Sequence, residues 1–263
     1  MTRLDVYLVS QGYFDSRQRA QDAVRAGSVL MDGRVAGKPS RPVGPDTAII
    51  VRHDPVGYVS RGGLKLAHGL DAFGIDVADM IYLDAGASTG GFTQCLLEKG
   101  AGRVYAVDVG HGQLAASLAA DPRVISMEGT DIRDLTLPGP VDGAAVDVSF
   151  ISLRQVLPSV ISQVRDAGSI VVLIKPQFEA GRAHVGKGGV VKDGAVHERV
   201  LTDITGFCGG HGLTVAGLLP SPIQGRGGNR EYLMYGIKGK SEIVPNYDIH
   251  DVVNQSFSGE QSG

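Results

Sequence analysis

The sequence predicts an α/β protein in which a mostly parallel sheet is covered by helices on both faces, preceded by a small basic α+β unit. Three observations carry that expectation. Short apolar runs alternate with stretches of helical period from Ile81 to Ile174, and strands buried on both faces read as unbroken apolar runs. The first of these runs ends in Asp84 and passes through a Gly-rich turn into Phe92, Cys95, Leu96 and Lys99 at helical spacing, which spells strand, turn, helix. Charge is uneven as well: residues 1–66 hold ten Lys and Arg against six Asp, so about +4, leaving about −7 for the remainder of a chain with net charge −3. A basic small unit ahead of an acidic larger one suits a polyanion at the first end.

In chain order, Leu4, Val6, Leu8 and Val9 start a short helix that stops near Gly12. Ser16 is placed to cap a second helix, whose apolar face is Ala20, Ala23 and Val24 and whose end is Gly27. Arg17, Arg19 and Arg25 fall on its polar side, where they either solvate the helix or meet an anion. Val29 to Val35 reads as a hairpin about the turn Asp32-Gly33, and Ala48 to Val51 as a further strand. His53 to Gly63, with Pro55, Gly57, Gly62 and Gly63, is a linker by composition that Tyr58 and Val59 could anchor. Leu66, Leu70 and Phe73 then define a helix with Lys65 on its other side.

The Gly-rich turn is where a ligand is expected. It exposes backbone N–H groups beside a helix N-terminus, and its glycines admit a ligand close to the main chain. A dinucleotide fits poorly, because Ser88 stands where that fingerprint needs a glycine facing the pyrophosphate. A ligand without phosphate fits better. Asp84 can accept from an ammonium group, and Asp108, closing a second strand over Val104 to Val107, lies at the spacing that serves ribose hydroxyls. Ammonium, ribose and a tight glycine turn together describe S-adenosylmethionine, with Asp84, Gly86, Ala87, Ser88, Thr89, Gly90, Gly91, Phe92 and Asp108 around it. Asp131, beyond a third strand over Val124 to Met127, either faces the adenine or caps its loop.

Val141 to Val148 forms the fourth strand, and Leu153, Val156, Leu157, Val160 and Val164 its helix. Ser169 to Ile174 is the fifth strand, ending at Lys175. Ligands of such sheets sit at the carboxyl ends of the strands, where Asp84, Asp108, Asp147 and Lys175 all lie. Pro176 to Asp193 is long, Gly-rich and basic, and is expected to be a substrate-contacting lid. A helix through Val196, Val200, Ile204 and Phe207 precedes an antiparallel pair, Leu213–Leu219 with Tyr232–Ile237, around the loop Ser221 to Arg230. Beyond Gly239 the tail is expected to be mobile, apart from Ile249, Val252 and Val253, which suit a short docked helix.

Ser16-Arg17, Ala20, Gly27, Val29 and Asp32-Gly33 resemble the S4 RNA-binding domain. Tyr58 to Leu66, Asp84 to Thr93, Asp147 to Ser152, Lys175 to Glu179 and Gly228 to Tyr232 are similar to motifs of the TlyA (haemolysin A-like) family, in that order. That family joins an S4 domain to an FtsJ-like rRNA 2′-O-methyltransferase domain. The resemblance implies a class I methyltransferase domain with a mostly parallel seven-stranded sheet, and boundaries of 1–56 for the S4-like domain, 57–63 for the linker, 64–240 for the methyltransferase and 241–263 for the tail. It implies S-adenosylmethionine as cofactor, ribosomal RNA or ribosomal subunits as partner, and Arg3, Arg17, Arg19, Arg25 and Arg61 as RNA contacts. It also places a Lys-Asp-Lys-Glu tetrad on Lys65, Asp147, Lys175 and Glu231. Lys175 would accept or steer the proton of the attacking ribose hydroxyl, Asp147 would position the methyl group and tune that lysine, and Lys65 and Glu231 would orient lysine and ribose. An ordinary lysine, with pKa about 10.4, needs its surroundings for such a task.

Other classes find less support. Cys95 and Cys208 lie in apolar helical contexts without ligand spacing, as expected of reduced thiols in a cytoplasmic protein, and His197 and His211 suggest no metal. The longest apolar run, Ile170 to Ile174, is far short of the roughly 20 residues of a membrane helix, against the membrane-active reading of the haemolysin label. No G-x-S-x-G frames Ser88 or Thr89, so covalent catalysis is not expected. An RNA-binding protein without catalysis is opposed by the intact Asp147 and Lys175.

Overall fold

The computed structural model describes residues 2–11, 13–14, 17–25, 27–44, 47–51, 57–239 and 245–258. The chain divides into two compact units, Met1–Gly57 and Tyr58–Gly263.

In the first unit β1 (Thr2–Arg3) leads into α1 (Leu4–Ser10), and α2 (Arg17–Arg25) packs against α1. The expected hairpin is β2 (Val29–Met31) with β3 (Arg34–Val35), paired Met31 to Arg34 about Asp32 and Gly33, both at positive φ as a tight primed turn requires. After β4 (Pro42–Val43), which pairs with β1, β5 (Ile49–Val51) joins the other edge of β2. The core is Leu4, Leu8, Ala20, Val24, Val29, Met31, Ala36 and Val43, so the helical face read from Ala20 and Val24 is the buried one. Gly12 and the expected cap Ser16 lie outside the described residues.

The second unit opens with α3 (Gly62–Phe73). Gly62 and Gly63, expected in the linker, are the first turn of this helix: a side chain at Gly63 would collide with the Tyr58 ring, so close packing rather than looseness explains that glycine. Residues 53–56 of the expected linker lie outside the described residues. Then follow β6 (Ile81–Ala85), α4 (Gly91–Glu98), β7 (Arg103–Asp108), α5 (Ala116–Ala119), β8 (Val124–Glu128), β9 (Val141–Val146), α6 (Leu153–Gln163) and β10 (Val164–Ile174). The chain ends in α7 (Pro176–Glu179), α8 (Gly194–Gly210), β11 (Leu213–Pro220), β12 (Tyr232–Lys238) and α9 (Ile249–Ser258).

These strands form one seven-stranded sheet in the order β11-β12-β10-β9-β6-β7-β8. It is parallel from β10 to β8, and β12 runs antiparallel to both its neighbours. From β6 the chain winds outward to β8, then returns to β9 on the other side of β6. That reversal opens a crevice at the carboxyl ends of β6 and β9. One face packs under α6, α8 and α9, the other under α3 and α4, each with its own apolar cluster. Val164, expected to close the helix, instead starts β10, which runs longer than the apolar stretch Ser169–Ile174 because Val164 pairs with Val141 ahead of a register shift. The short helix expected at Ile249, Val252 and Val253 is α9, seated by Val252 and Val253, which are 5% and 2% exposed.

Candidate active site

Asp84 lies within β6 at its carboxyl end and is fully buried. Its Oδ2 accepts from Thr93 Oγ1 at 2.6 Å, while its Oδ1 has no hydrogen-bond partner. Burial pushes this carboxyl up to about 7, and the carboxylates of Asp147 and Asp108 push the same way. A buried acid with an idle oxygen is poised to take a cationic donor. The turn beside it is built by glycines: Gly86 and Gly90 have φ of +89° and +97°. A Cβ at Gly86 would sit 2.7 Å from the Asp147 carbonyl oxygen, and one at Gly90 would strike Leu118. Ser88, also at positive φ, donates its backbone N–H to Asp108 Oδ2 at 2.8 Å, and Gly110 donates to Oδ1 at 2.7 Å. Each oxygen of Asp108 keeps a second lone pair. A cradle too narrow for side chains, one idle buried carboxylate oxygen and a second carboxylate oriented by the turn fit the ammonium, ribose and close main-chain approach of S-adenosylmethionine. Ala87 and Phe92 are buried within this region, and Thr89 accepts from the Ala115 N–H through its carbonyl. Asp131, for which two roles were left open, accepts from the Arg133 N–H and pairs with the Arg133 guanidinium at 2.6 Å, which holds its carboxyl down at about 2.

Lys65 on α3, Asp147 and Lys175 directly after β9 and β10, and Glu231 directly before β12 form two adjoining ion pairs. Lys175 Nζ lies 2.6 Å from Asp147 Oδ1 and donates to Ser149 Oγ at 2.7 Å; Lys65 Nζ pairs with Glu231 Oε2. The pairs share one field, since both lysines stabilise the Asp147 carboxylate against the burial that raises its pKa. Lys65, Lys175 and Glu231 are each less than a tenth exposed, and each has a group of opposite sign beside it.

Side chains of the quoted motifs that had no assigned role also meet here. Ser149 orients Lys175; Gln177 donates through Nε2 to Glu231 Oε1 at 3.4 Å, with its own Oε1 buried and without a hydrogen-bond partner; Phe150 is 87% exposed at φ +65°. A bulky residue held left-handed with its ring in solvent is strained. The Phe150 ring lies 5.1 Å from that of Phe178, whose face Lys175 Nζ approaches at 5.9 Å. Lone polar and aromatic positions inside a motif were the available signal.

The basic stretch Pro176–Asp193, expected as a substrate-contacting lid, begins with α7 and is tied down near its far end. Asn229 donates through Nδ2 to the Gly189 carbonyl at 2.9 Å and accepts from the Val191 N–H at 3.3 Å, and Val191 is buried. His197, fully buried, bonds the Val191 carbonyl and the Tyr232 hydroxyl.

The arginines expected on RNA are placed unequally. Arg3 and Arg17 both pair with Asp5, at 2.9 Å and 3.1 Å, while about half of each arginine side chain stays exposed. Asp5 is fully buried, and the Arg3 guanidinium holds its carboxyl well below the usual range. Arg25 bonds Gln21, and the side chain of Arg19 lies outside the described residues. Arg61, in the second unit, donates to the Gln224 carbonyl at 3.3 Å. Among the described residues no cluster of His, Cys, Asp or Glu has a metal-site arrangement, and no helix is long and apolar enough to cross a membrane.

Comparison with known proteins gives two matching family models, the S4 domain over residues 2–49 and the FtsJ-like methyltransferase over residues 58–238. The 16S/23S rRNA (cytidine-2′-O)-methyltransferase TlyA of Mycobacterium tuberculosis is 42% identical over 260 residues, covering 97% of each chain. Hemolysin A of Brachyspira hyodysenteriae is 41% identical over 89% of this chain and 99% of its own. A solved structure from Streptococcus thermophilus that carries a hemolysin name superposes with a TM-score of 0.79 at 43% identity, over 97% of this chain and 95% of the other.

Proposed function

The chain belongs to the FtsJ-like methyltransferase family, and from that premise we propose that it methylates the ribose 2′-hydroxyl of cytidine in ribosomal RNA of the small subunit, the large subunit or both, using S-adenosylmethionine. The observation that carries this reading is the joined pair of ion pairs Lys175–Asp147 and Lys65–Glu231 at the crevice of a methyltransferase sheet. S-adenosylmethionine supplies an electrophilic methyl group; the protein must hold a weak oxygen nucleophile in line with it and relieve that oxygen of its proton.

In this reading Asp84 takes the ammonium through its idle oxygen, Asp108 takes the ribose hydroxyls, and the turn Gly86–Gly91, with Ala87, Ser88 and Thr89, admits the cofactor against the main chain, with Phe92 beneath. Lys175 accepts or steers the proton of the attacking hydroxyl. Asp147 and Ser149 hold its Nζ in place, and Lys65 with Glu231 orients the ribose. Help of this kind is worth roughly 10² to 10⁴ in rate. Phe150 and Phe178 offer an aromatic surface beside Lys175 on which the target base stacks. Arg3, Arg17, Arg19, Arg25 and Arg61 contribute phosphate contacts, with Arg3 and Arg17 also tied to Asp5. An rRNA substrate implies a cytoplasmic location.

The test is methyl transfer from labelled S-adenosylmethionine to ribosomal subunits from a strain that lacks the modification. Label on a cytidine ribose supports the proposal. Label on a base, or cofactor binding with no transfer, sinks it and favours in turn a base methyltransferase or an RNA-binding protein without catalysis.

A further inference from the structure

Glu128 ends β8 and lies outside the tetrad and outside the expected cofactor residues. Its carboxylate accepts three successive backbone N–H groups: Gly112 at 3.0 Å on Oε2, and Gln113 at 2.6 Å with Leu114 at 3.1 Å on Oε1. Three consecutive main-chain donors closing on one anion form a nest, and the charge strengthens each bond. These hydrogen bonds hold its carboxyl below the ordinary value, that of Gln113 foremost.

The segment so gripped is the one that leaves Asp108. Gly110 donates to Asp108 Oδ1, and its carbonyl accepts from the Gly129 N–H at 2.8 Å. Gln113 Oε1 accepts from Ser88 Oγ at 3.1 Å, and the Ala115 N–H donates to the Thr89 carbonyl at 3.2 Å. Residues 109–115 therefore bridge the carboxyl end of β7, the glycine turn and the carboxyl end of β8, and the Glu128 side chain fixes three of its amides. Val109, beside Asp108, is 67% exposed.

We propose that Glu128 is a positioning residue that presets this segment as one wall of the cofactor site, with Val109 the apolar surface for the adenosine and Ser88 and Asp108 locked in place behind it. The three hydrogen bonds that Glu128 accepts all come from main-chain N–H groups. The inference rests on the reading that S-adenosylmethionine binds at this turn. It gives Glu128, the last residue of β8, a part in the cofactor site that acts through the loop.

The experiment compares full-length wild type with Glu128→Gln and Glu128→Ala by amide hydrogen exchange without cofactor and by calorimetric titration with S-adenosylmethionine. Glutamine keeps the shape but presents one acceptor and one donor to three N–H groups, so one bond at least is replaced by repulsion. Exchange at Gly112, Gln113 and Leu114 should speed up by about tenfold or more, and cofactor Kd should rise by about tenfold, which one charge-assisted bond accounts for. Binding of RNA and the rate at saturating cofactor should stay within about twofold of wild type, as a loop-setting role requires. Unchanged exchange in both variants overturns the strap. Faster exchange with unchanged Kd overturns the assignment of the loop to the cofactor site. A wild-type protein that fails to bind S-adenosylmethionine overturns the underlying functional reading instead, and the exchange data still decide whether Glu128 holds the loop.

Discussion

Single residues carry the chemistry here through burial and pairing, and two substitutions expose that most clearly. The fold favours the neutral form of Asp84, whose carboxyl is raised from 3.8 to about 7 by burial. Its stability contribution is therefore fully present below about pH 3.8 and is lost as pH rises through about 7. Asp84→Asn mimics the neutral form, so its thermal midpoint should gain on wild type between pH 5 and pH 8, while S-adenosylmethionine affinity drops by about tenfold with the charge gone. A midpoint difference that does not grow with pH contradicts the buried-acid account. Phe150 is the converse case, an exposed ring on strained backbone. Phe150→Gly should leave stability within about 1 kcal/mol of wild type, yet lower turnover on RNA by about tenfold, the worth of one lost base stack. Both residues were visible in sequence as members of motifs. Only Asp84 could be given a role there, because the sign of φ and the exposure of a ring are facts of three dimensions.

Elements set these residues in place, and at this scale most of the fold was legible. Apolar runs ending in Asp84, Asp108 and Lys175 became strands β6, β7 and β10, since a strand buried on both faces has to be apolar throughout. What periodicity missed was pairing: Asp5 with Arg3 and Arg17, Asp131 with Arg133, Glu128 with three amides. A charged residue reads alike whether its partner is solvent, ligand or main chain, so its role is settled only where the chain returns to meet it. The helix α9 shows the same limit. Its Ser256 carbonyl accepts from Arg230 Nε at 2.9 Å, its Ser256 hydroxyl lies 3.0 Å from the Tyr232 hydroxyl, and the Arg230 guanidinium stacks on Phe257 at 3.9 Å. Those contacts flank Glu231 on both sides in sequence. Val253→Asp places a charge where 2% of the side chain's residue is exposed, so stability should fall by about 2–4 kcal/mol, and methyl transfer should fall with it at temperatures where wild type is fully active. Thermal unfolding and initial rates measured together check this; full stability in the variant would mean that α9 does not depend on Val253.

At the scale of the whole molecule the chain divides the work between a basic unit and a unit holding the tetrad and glycine turn. Removing charge with Arg17→Gln and Arg19→Gln should weaken binding to ribosomal RNA and make its salt dependence shallower by about one to two in slope, with cofactor affinity unchanged. Unaltered RNA affinity would count against an RNA-binding role for the first unit. Within the second unit, Lys175 in the setting of Asp147, Lys65 and Glu231 is proposed to handle the proton of a ribose hydroxyl. The most direct test of that proposal is transfer of labelled methyl from S-adenosylmethionine to unmodified ribosomal subunits by wild type and by Lys175→Ala. The account predicts label on a cytidine 2′-oxygen with wild type, a loss of about 10² to 10⁴ in rate with the variant, and cofactor binding kept in both. Transfer at the wild-type rate by Lys175→Ala would contradict it.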